Sequence, residues 1–373
     1  MKIGIDARQL TLADPAGVGW YVIELLKRFN EIDKENEFIL YMNRKCLYTM
    51  CLGDNFSVRI IPGKIGSLWL RYKLPFYLKK DGIDIFWGPE HILPKKVKGI
   101  RYVVTIHDLA LIINPKWGET KNSIIQNLFL RKSVKDADLI IAISESTQKD
   151  ILKLCKVSED KIKKIYNGFS TKKSSNASHT ISTLKKYKIS NDYFLYVGTI
   201  EPRKNIITLI KAFEIVRRKY NVNLVIVGKT GWKYNKIIDA INISRDRKNI
   251  IRTGYVSAED KNNLYAGAKA FIFPSYYEGF GIPILEAMGH ENIVITMENS
   301  SLREVGGNAA LYIENNNDYQ ALANLMEKVY EMDVKARNEI ITKGNAQIRK
   351  FSWDECAYET LNAIIHTVDN IKR

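Results

Sequence analysis

What most limits the fold open to this chain is a rhythm in its residues. Short runs rich in Ile, Val, Phe and Tyr alternate with helical stretches, the pattern of parallel sheets whose strands are joined by crossover helices. The first round places strands at 2–6, 37–41, 57–61, 84–87, 102–106, 139–143 and 163–166, with helices at 18–29, 68–80, 123–135 and 145–154. Ser144 stands where the last of these helices needs an N-cap. Residues 170–190, rich in Ser, Lys and Asn, break the rhythm and read as a linker. A second round comes after it, with strands at 193–197, 224–227, 249–252, 270–273, 293–296 and 310–313, and a tail over 318–372 that reads as wholly helical. Ser257-Ala258-Glu259-Asp260 has the form of a capping box. The expected fold is α/β: two Rossmann-like doubly wound domains facing a central cleft. Their expected bounds are 1–170 and 191–350, with 171–190 as linker and 351–373 as a helix packing back on the first domain.

Composition narrows the class. The 373 residues are 46% hydrophobic, enough for two cores. No apolar run reaches the roughly 18 residues a spanning helix requires. Acid and arginine at Asp6 and Arg8 interrupt any signal-peptide pattern, so a cytoplasmic location is expected. Cys46, Cys51, Cys155 and Cys356 show no metal-ligand spacing and read as reduced thiols. The formal charge of +16 draws nucleic acid, anionic lipid or phosphorylated substrates alike, and charge alone does not choose among them. No helix-turn-helix or RNA-binding motif accompanies it, so no nucleic-acid partner is expected.

Ligands of doubly wound sheets bind at the carboxyl ends of the strands, so chemistry is sought on strand-to-helix loops. After the first strand, Gly17-Val18-Gly19 opens a helix and could let backbone N–H groups approach an anion; a plain glycine turn reads as well. Thr105-Ile106-His107-Asp108 ends another strand, and His107 suits either a sugar hydroxyl or a local backbone partner. Gly198-Thr199-Ile200-Glu201-Pro202-Arg203-Lys204-Asn205 comes directly after the first strand of the second round. Two cations before a helix N-terminus oppose its dipole, and a bound diphosphate would relieve that conflict. The fourth loop runs through Glu278-Gly279-Phe280-Gly281-Ile282-Pro283 to Glu286, with Pro283 suited to a helix's first turn. Its two carboxylates are good acceptors for vicinal hydroxyls. Asp136-Ala137-Asp138 spells a metal–diphosphate pattern but opens a strand rather than ending one, so it is set aside, and no metal site is expected.

The Glu278–Glu286 pair, separated by seven residues, resembles the signature of glycosyltransferase family 4, the retaining enzymes of the GT-B fold. The loop 198–205 is similar to that family's phosphate-binding loop, particularly in its mannosyltransferase-B-like members. Asp6-Ala7-Arg8, Gly17-Val18-Gly19, His107-Asp108, Ser144 and Asn167-Gly168 fall in the family's order. The resemblance implies an acceptor-binding first domain and a nucleotide-sugar-binding second one. Arg203 and Lys204 would neutralise the departing diphosphate, with Gly198 in the same loop. Glu278, with Gly279, Phe280 and Gly281, would hold the donor sugar, and Glu286 the ribose. Ser300, Ser301 and Leu302 would lie near the nucleotide, His107 would touch the donor sugar, and Gly17 and Gly19 would let their loop approach phosphates or acceptor. GDP-mannose is the implied donor, with UDP- or dTDP-sugars open, and no cofactor. The chain departs from the family at Gly289-His290-Glu291-Asn292-Ile293-Val294, where Gly-x-Pro-Val is common, and at Trp20, where Arg is usual.

Residues 59–101 hold ten basic and three acidic side chains. Within them Trp69, Arg71, Lys73, Lys79 and Lys80 form the expected membrane and acceptor surface. The reading is thus a retaining hexosyltransferase of surface polysaccharide synthesis, peripheral on the inner face of the plasma membrane, with a polyprenyl-linked saccharide as acceptor. A sugar-nucleotide epimerase of similar fold and a non-catalytic nucleotide-sugar-binding protein remain as alternatives.

Overall fold

The computed structural model describes all residues except 14, 16, 49, 65, 119, 171–176 and 370–373, and the backbone alone of 120–123. Two sheets carry the fold. The first contains β1 (Lys2–Asp6), β2 (Glu37–Met42), β3 (Phe56–Ile60), β4 (Ile85–Gly88), β5 (Arg101–Ile106), β6 (Leu139–Ala142) and β7 (Ile162–Lys164). The second contains β8 (Tyr193–Val197), β9 (Asn223–Val227), β10 (Ile250–Gly254), β11 (Ala270–Phe273), β12 (Ile293–Met297) and β13 (Ala310–Ile313). Every pairing is parallel, as crossover connections dictate. The near-continuous apolar character of β8, β9, β11 and β12 arises from burial on both faces, where each of their residues is buried.

The spatial orders are β3-β2-β1-β4-β5-β6-β7 and β10-β9-β8-β11-β12-β13. Each sheet grows outward in both directions from its first strand. The order therefore reverses between β1 and β4 in one sheet and between β8 and β11 in the other. Loops leaving the carboxyl ends of those strand pairs diverge to opposite faces and leave a crevice, where ligands of such sheets bind.

The chain divides into two compact units. Unit 1 comprises Met1–Pro115, Thr120–Gly168 and Phe351–Arg373, and unit 2 comprises Lys116–Glu119 and Phe169–Lys350. The helix Trp353–Asp369 buries Trp353, Cys356, Ala357, Leu361 and Ile364 in the same core as Ile3, Ile5, Leu25 and Leu26. Gly168 meets the backbone of Trp353 so closely that a Cβ would have no room, which fixes the chain's return.

Three expectations need correction. Part of the linker is a helix, Ala177–Lys186 (residues 171–176 lie outside the described residues). Its weak apolar face is offset by a polar anchor. Asp260 accepts from Lys186 Nζ at 2.6 Å and Tyr187 Oη at 2.9 Å, and faces the Thr183 hydroxyl at 3.3 Å. The helical tail is three helices, Tyr319–Tyr330, Val334–Ile348 and Trp353–Asp369, the first two each begun by an aspartate cap, Asp318 and Asp333.

The third correction concerns the basic helix. Trp69 and Arg71 do not lie on its surface; both are buried. The run Gly66–Leu68 passes through a π-helical turn, Trp69–Lys73, into Leu74–Lys80. Arg71 lies three and seven residues before the buried Leu74 and Leu78, on one helix face with them, so cations interleaved with aromatics do not by themselves mark a surface. Trp69 Nε1 donates to the Ile61 carbonyl at 2.6 Å, and Arg71 Nη1 to that of Leu93 at 3.3 Å while its guanidinium stacks on Phe129. Lys73, Lys79 and Lys80 are exposed, together with Leu68, Tyr72 and Phe76 at four-residue spacing. No helix among the described residues is long and apolar enough to cross a membrane.

Candidate functional site

At the reversal in sheet two, β8 hands over to the loop that carries Arg203 and Lys204, and β11 to the loop that carries Glu278. Pro202–Lys204 forms a single 3-10 turn, and Asn205 adopts a left-handed conformation (φ 56°) before the helix Ile206–Arg217 begins. The cations thus stand outside that helix. Their neutralisation is internal: Lys204 Nζ lies 2.6 Å from Glu278 Oε1, and Arg203 Nη1 2.9 Å from Glu278 Oε2. Arg203 also reaches Glu201 Oε1 at 2.9 Å. Glu201 carries no signal of its own in the sequence, although it lies two residues before Arg203 in the same motif. The dipole conflict that a diphosphate was expected to relieve is already resolved by two carboxylates.

Glu201, Lys204 and Glu278 are buried and Arg203 is half-buried, so the electrostatics of the cluster are strong. Burial opposes charge on Glu278, but the Arg203 guanidinium and the Lys204 ammonium prevail and hold its carboxyl down to about 2. Burial pushes the Glu201 carboxyl upward, against the pull of Arg203. It lowers the Lys204 ammonium, with Glu278 pulling the other way. Two acids and two bases are held in one water-poor group, where an incoming anion would exchange with a carboxylate for the same cations.

Neighbouring loops lock the group. Tyr276 N–H donates to the Arg203 carbonyl at 2.9 Å, and Arg203 Nη1 donates to the Tyr277 carbonyl at 2.8 Å. Glu278 N–H donates to Ser300 Oγ at 3.1 Å. The buried Ser301 hydroxyl lies 2.6 Å from the Phe280 carbonyl and 2.8 Å from that of Glu278. Leu302 is buried against Gly281, whose φ of 114° and close neighbour leave little space for a side chain. Ser301 and Leu302 therefore shape the Glu278–Gly281 turn. Gly198 faces Gly228 so closely that a Cβ on Gly228 would collide with the Gly198 carbonyl.

Glu286 lies in the next helix after this turn, Ile282–Gly289. Lys261 Nζ sits 2.6 Å from its Oε1, and Tyr265 Oη donates to its Oε2 at 3.0 Å. Local sequence reveals neither partner, because both come from a separate helix, Ala258–Ala266.

The reversal in sheet one gathers a second polar group. Arg8 grips Asp6 through Nε at 2.9 Å and Nη2 at 2.7 Å, and Gln9 Nε2 donates to Glu90 Oε2 at 2.9 Å. His107, at the end of β5, is buried with Nε2 2.7 Å from the Pro89 carbonyl. Burial, with His91 nearby, lowers its imidazole to about 4. A carbonyl only accepts, so the neutral ring carries its proton on Nε2 and presents Nδ1 as an acceptor. Gly17 begins the helix Gly17–Ile32, and the room left by the absent side chain of Gly19 is filled by Pro15. The excluded Asp136-Ala137-Asp138 stretch is structural: Asp138 accepts from Tyr102 N–H at 2.8 Å and Arg101 Nη1 at 3.1 Å.

Known proteins share this plan. Residues 15–173 match the model for Glycosyltransferase Family 4, and residues 183–347 that for Glycosyl transferases group 1. The O-antigen chain mannosyltransferase B of Escherichia coli is 31% identical over 289 residues, covering 75% of this chain and 73% of the relative. Among solved structures, a glycosyltransferase from Rickettsia africae ESF-5 superposes with a TM-score of 0.74 at 16% identity, covering 99% of each chain. Anabaena HepE in complex with UDP-glucose gives 0.73 at 17% identity, covering 97% of this chain and 99% of that one.

Proposed function

The chain belongs to glycosyltransferase family 4 and has the GT-B fold, and from that premise we propose a retaining transfer of mannose from GDP-mannose to a saccharide acceptor. The observation that carries the proposal is the meeting of Arg203 and Lys204 with Glu278 at the reversal point of sheet two. In this reading the diphosphate takes the two cations, which stabilise its growing charge as the bond from the sugar's anomeric carbon to the phosphate oxygen breaks. Glu278, released from them, accepts hydrogen bonds from the sugar hydroxyls. The acceptor oxygen bonds to the anomeric carbon on the face the phosphate left, and its proton passes to a phosphate oxygen. Glu286 receives the ribose hydroxyls, and neutral His107 accepts from a donor-sugar hydroxyl. Ser300 lies beside the nucleotide.

The choice of mannose rests on the E. coli relative, whose name assigns it to O-antigen mannosyl transfer. The acceptor we propose is a polyprenyl-linked saccharide in surface polysaccharide synthesis, met at the anionic inner face of the plasma membrane. Exposed Leu68, Tyr72 and Phe76 beside Lys73, Lys79 and Lys80 support that contact, since apolar tips among cations suit an anionic lipid surface.

The test is a panel of GDP-, UDP- and dTDP-sugars scored first by thermal stabilisation, then by transfer to a lipid-linked acceptor with and without EDTA. A ligand at 100 times its Kd adds about 2.7 kcal/mol. GDP-mannose should stabilise, transfer should survive EDTA, and NMR of the product should show the donor's anomeric configuration. Release of an altered free sugar nucleotide, or binding with no turnover, would overturn it.

A further inference from the structure

Between two stretches of unit 1, the short segment Lys116–Glu119 belongs to unit 2, and its described residues are Lys116, Trp117 and Gly118. They are gripped from two sides. From the loop after β9, Trp232 Nε1 donates to the Trp117 carbonyl, while Lys233 Nζ donates to the carbonyls of Lys116 at 2.8 Å and Gly118 at 2.9 Å. Three consecutive carbonyls are thus satisfied by two consecutive side chains. From the loop after β11, Tyr276 and Tyr277 lie near-parallel to the Trp117 ring, with centroids at 6.4 and 6.3 Å and interplanar angles of 13° and 23°.

The grip is maintained at a conformational cost. Lys233 holds a left-handed backbone, φ 52°, which a non-glycine residue adopts only when its surroundings require it. The six strands of sheet two pair fully without this tripeptide. Its contacts instead converge on the donor loop: Tyr276 and Tyr277 are the residues bonded to the Arg203 backbone and guanidinium, and the next residue is Glu278.

We propose that Lys116–Trp117–Gly118 is a clasp that sets the Arg203–Glu278 geometry, with Trp117 as a positioning residue for glycosyl transfer. The proposal rests on the reading of Arg203 and Glu278 as donor ligands. Trp117 acts through the two tyrosines. Misplacing a catalytic group by about 1 Å can cost on the order of 10²-fold in rate, so a loosened clasp should appear in kcat before it appears in binding.

The experiment compares Trp117→Ala, Trp117→Phe and Lys233→Gly. Trp117→Ala should lower kcat for GDP-mannose by about tenfold or more while its KM moves less than about threefold, and Trp117→Phe should restore kcat to within about threefold. Lys233→Gly suits the left-handed backbone, so it should keep or raise Tm yet lower kcat; unchanged kcat would overturn the clasp. Amide hydrogen exchange supplies a readout independent of turnover. In Trp117→Ala the Tyr276 and Glu278 amides should exchange faster while those of β11 stay protected. Unchanged exchange sinks the clasp even if no sugar nucleotide is turned over, whereas faster exchange in a protein that transfers nothing sinks only the functional reading.

Discussion

Lys204 Nζ and Glu278 Oε1 lie 2.6 Å apart inside the protein, a buried ion pair that Arg203 extends from the other carboxylate oxygen. A neutral isostere of the acid breaks the pair from one side: it leaves the Lys204 charge uncompensated and available to an anion, while Arg203 keeps Glu201. Glu278→Gln should therefore bind free GDP more tightly, by about tenfold, while transfer falls by at least about 10²-fold. Calorimetry with GDP beside a transfer assay checks both; weaker GDP binding would argue that the cations do not meet the diphosphate.

His107 gives a pH signature. Its imidazole falls from an ordinary value near 6.5 in the unfolded chain to about 4 in the fold. Between those values the unfolded state binds the extra proton, so the stability from keeping His107 neutral is complete above pH ~6.5 and is lost as pH falls towards 4. The lost contribution is at most about 3 kcal/mol. The urea midpoint should fall more steeply with falling pH across that window for the wild type than for His107→Gln.

Glu286 should separate binding from stability. Its pair with Lys261 is partly exposed and contributes no more than about 1 kcal/mol. Glu286→Gln should leave Tm within a few degrees yet weaken GDP by about tenfold, read by calorimetry.

Gly228 should tolerate nothing larger. Its φ of 142° and the opposing Gly198 carbonyl leave no site for a methyl group. Gly228→Ala should cost about 3 kcal/mol by denaturant melts and displace the loop that carries Arg203.

The strands are legible in the sequence because parallel sheets buried on both faces leave long apolar runs, and Tyr193–Val197 and Ala270–Phe273 stand where those runs fall. Arg203, Lys204 and Glu278 are legible as motifs, since each comes soon after a strand. Their mutual pairing is not, because the two loops lie over 70 residues apart in sequence. The helix Ala177–Lys186 is hidden for a similar reason: its anchor, Asp260, is remote, and local pattern gives only a polar stretch. Arg71 is misplaced because its charge reads as exposure, while the partners that bury it, the Leu93 carbonyl and the Phe129 ring, lie remote in sequence.

The return of Trp353–Asp369 to unit 1 has a consequence for biosynthesis. The residues that finish the core around Ile3, Ile5 and Leu25 are translated only after all of unit 2. On the ribosome, unit 2 can close as soon as its own strands emerge, while unit 1 waits with an unfilled groove along its first helix. Truncations before Trp353 should therefore trap the nascent first unit in a chaperone-dependent, aggregation-prone state and spare the second.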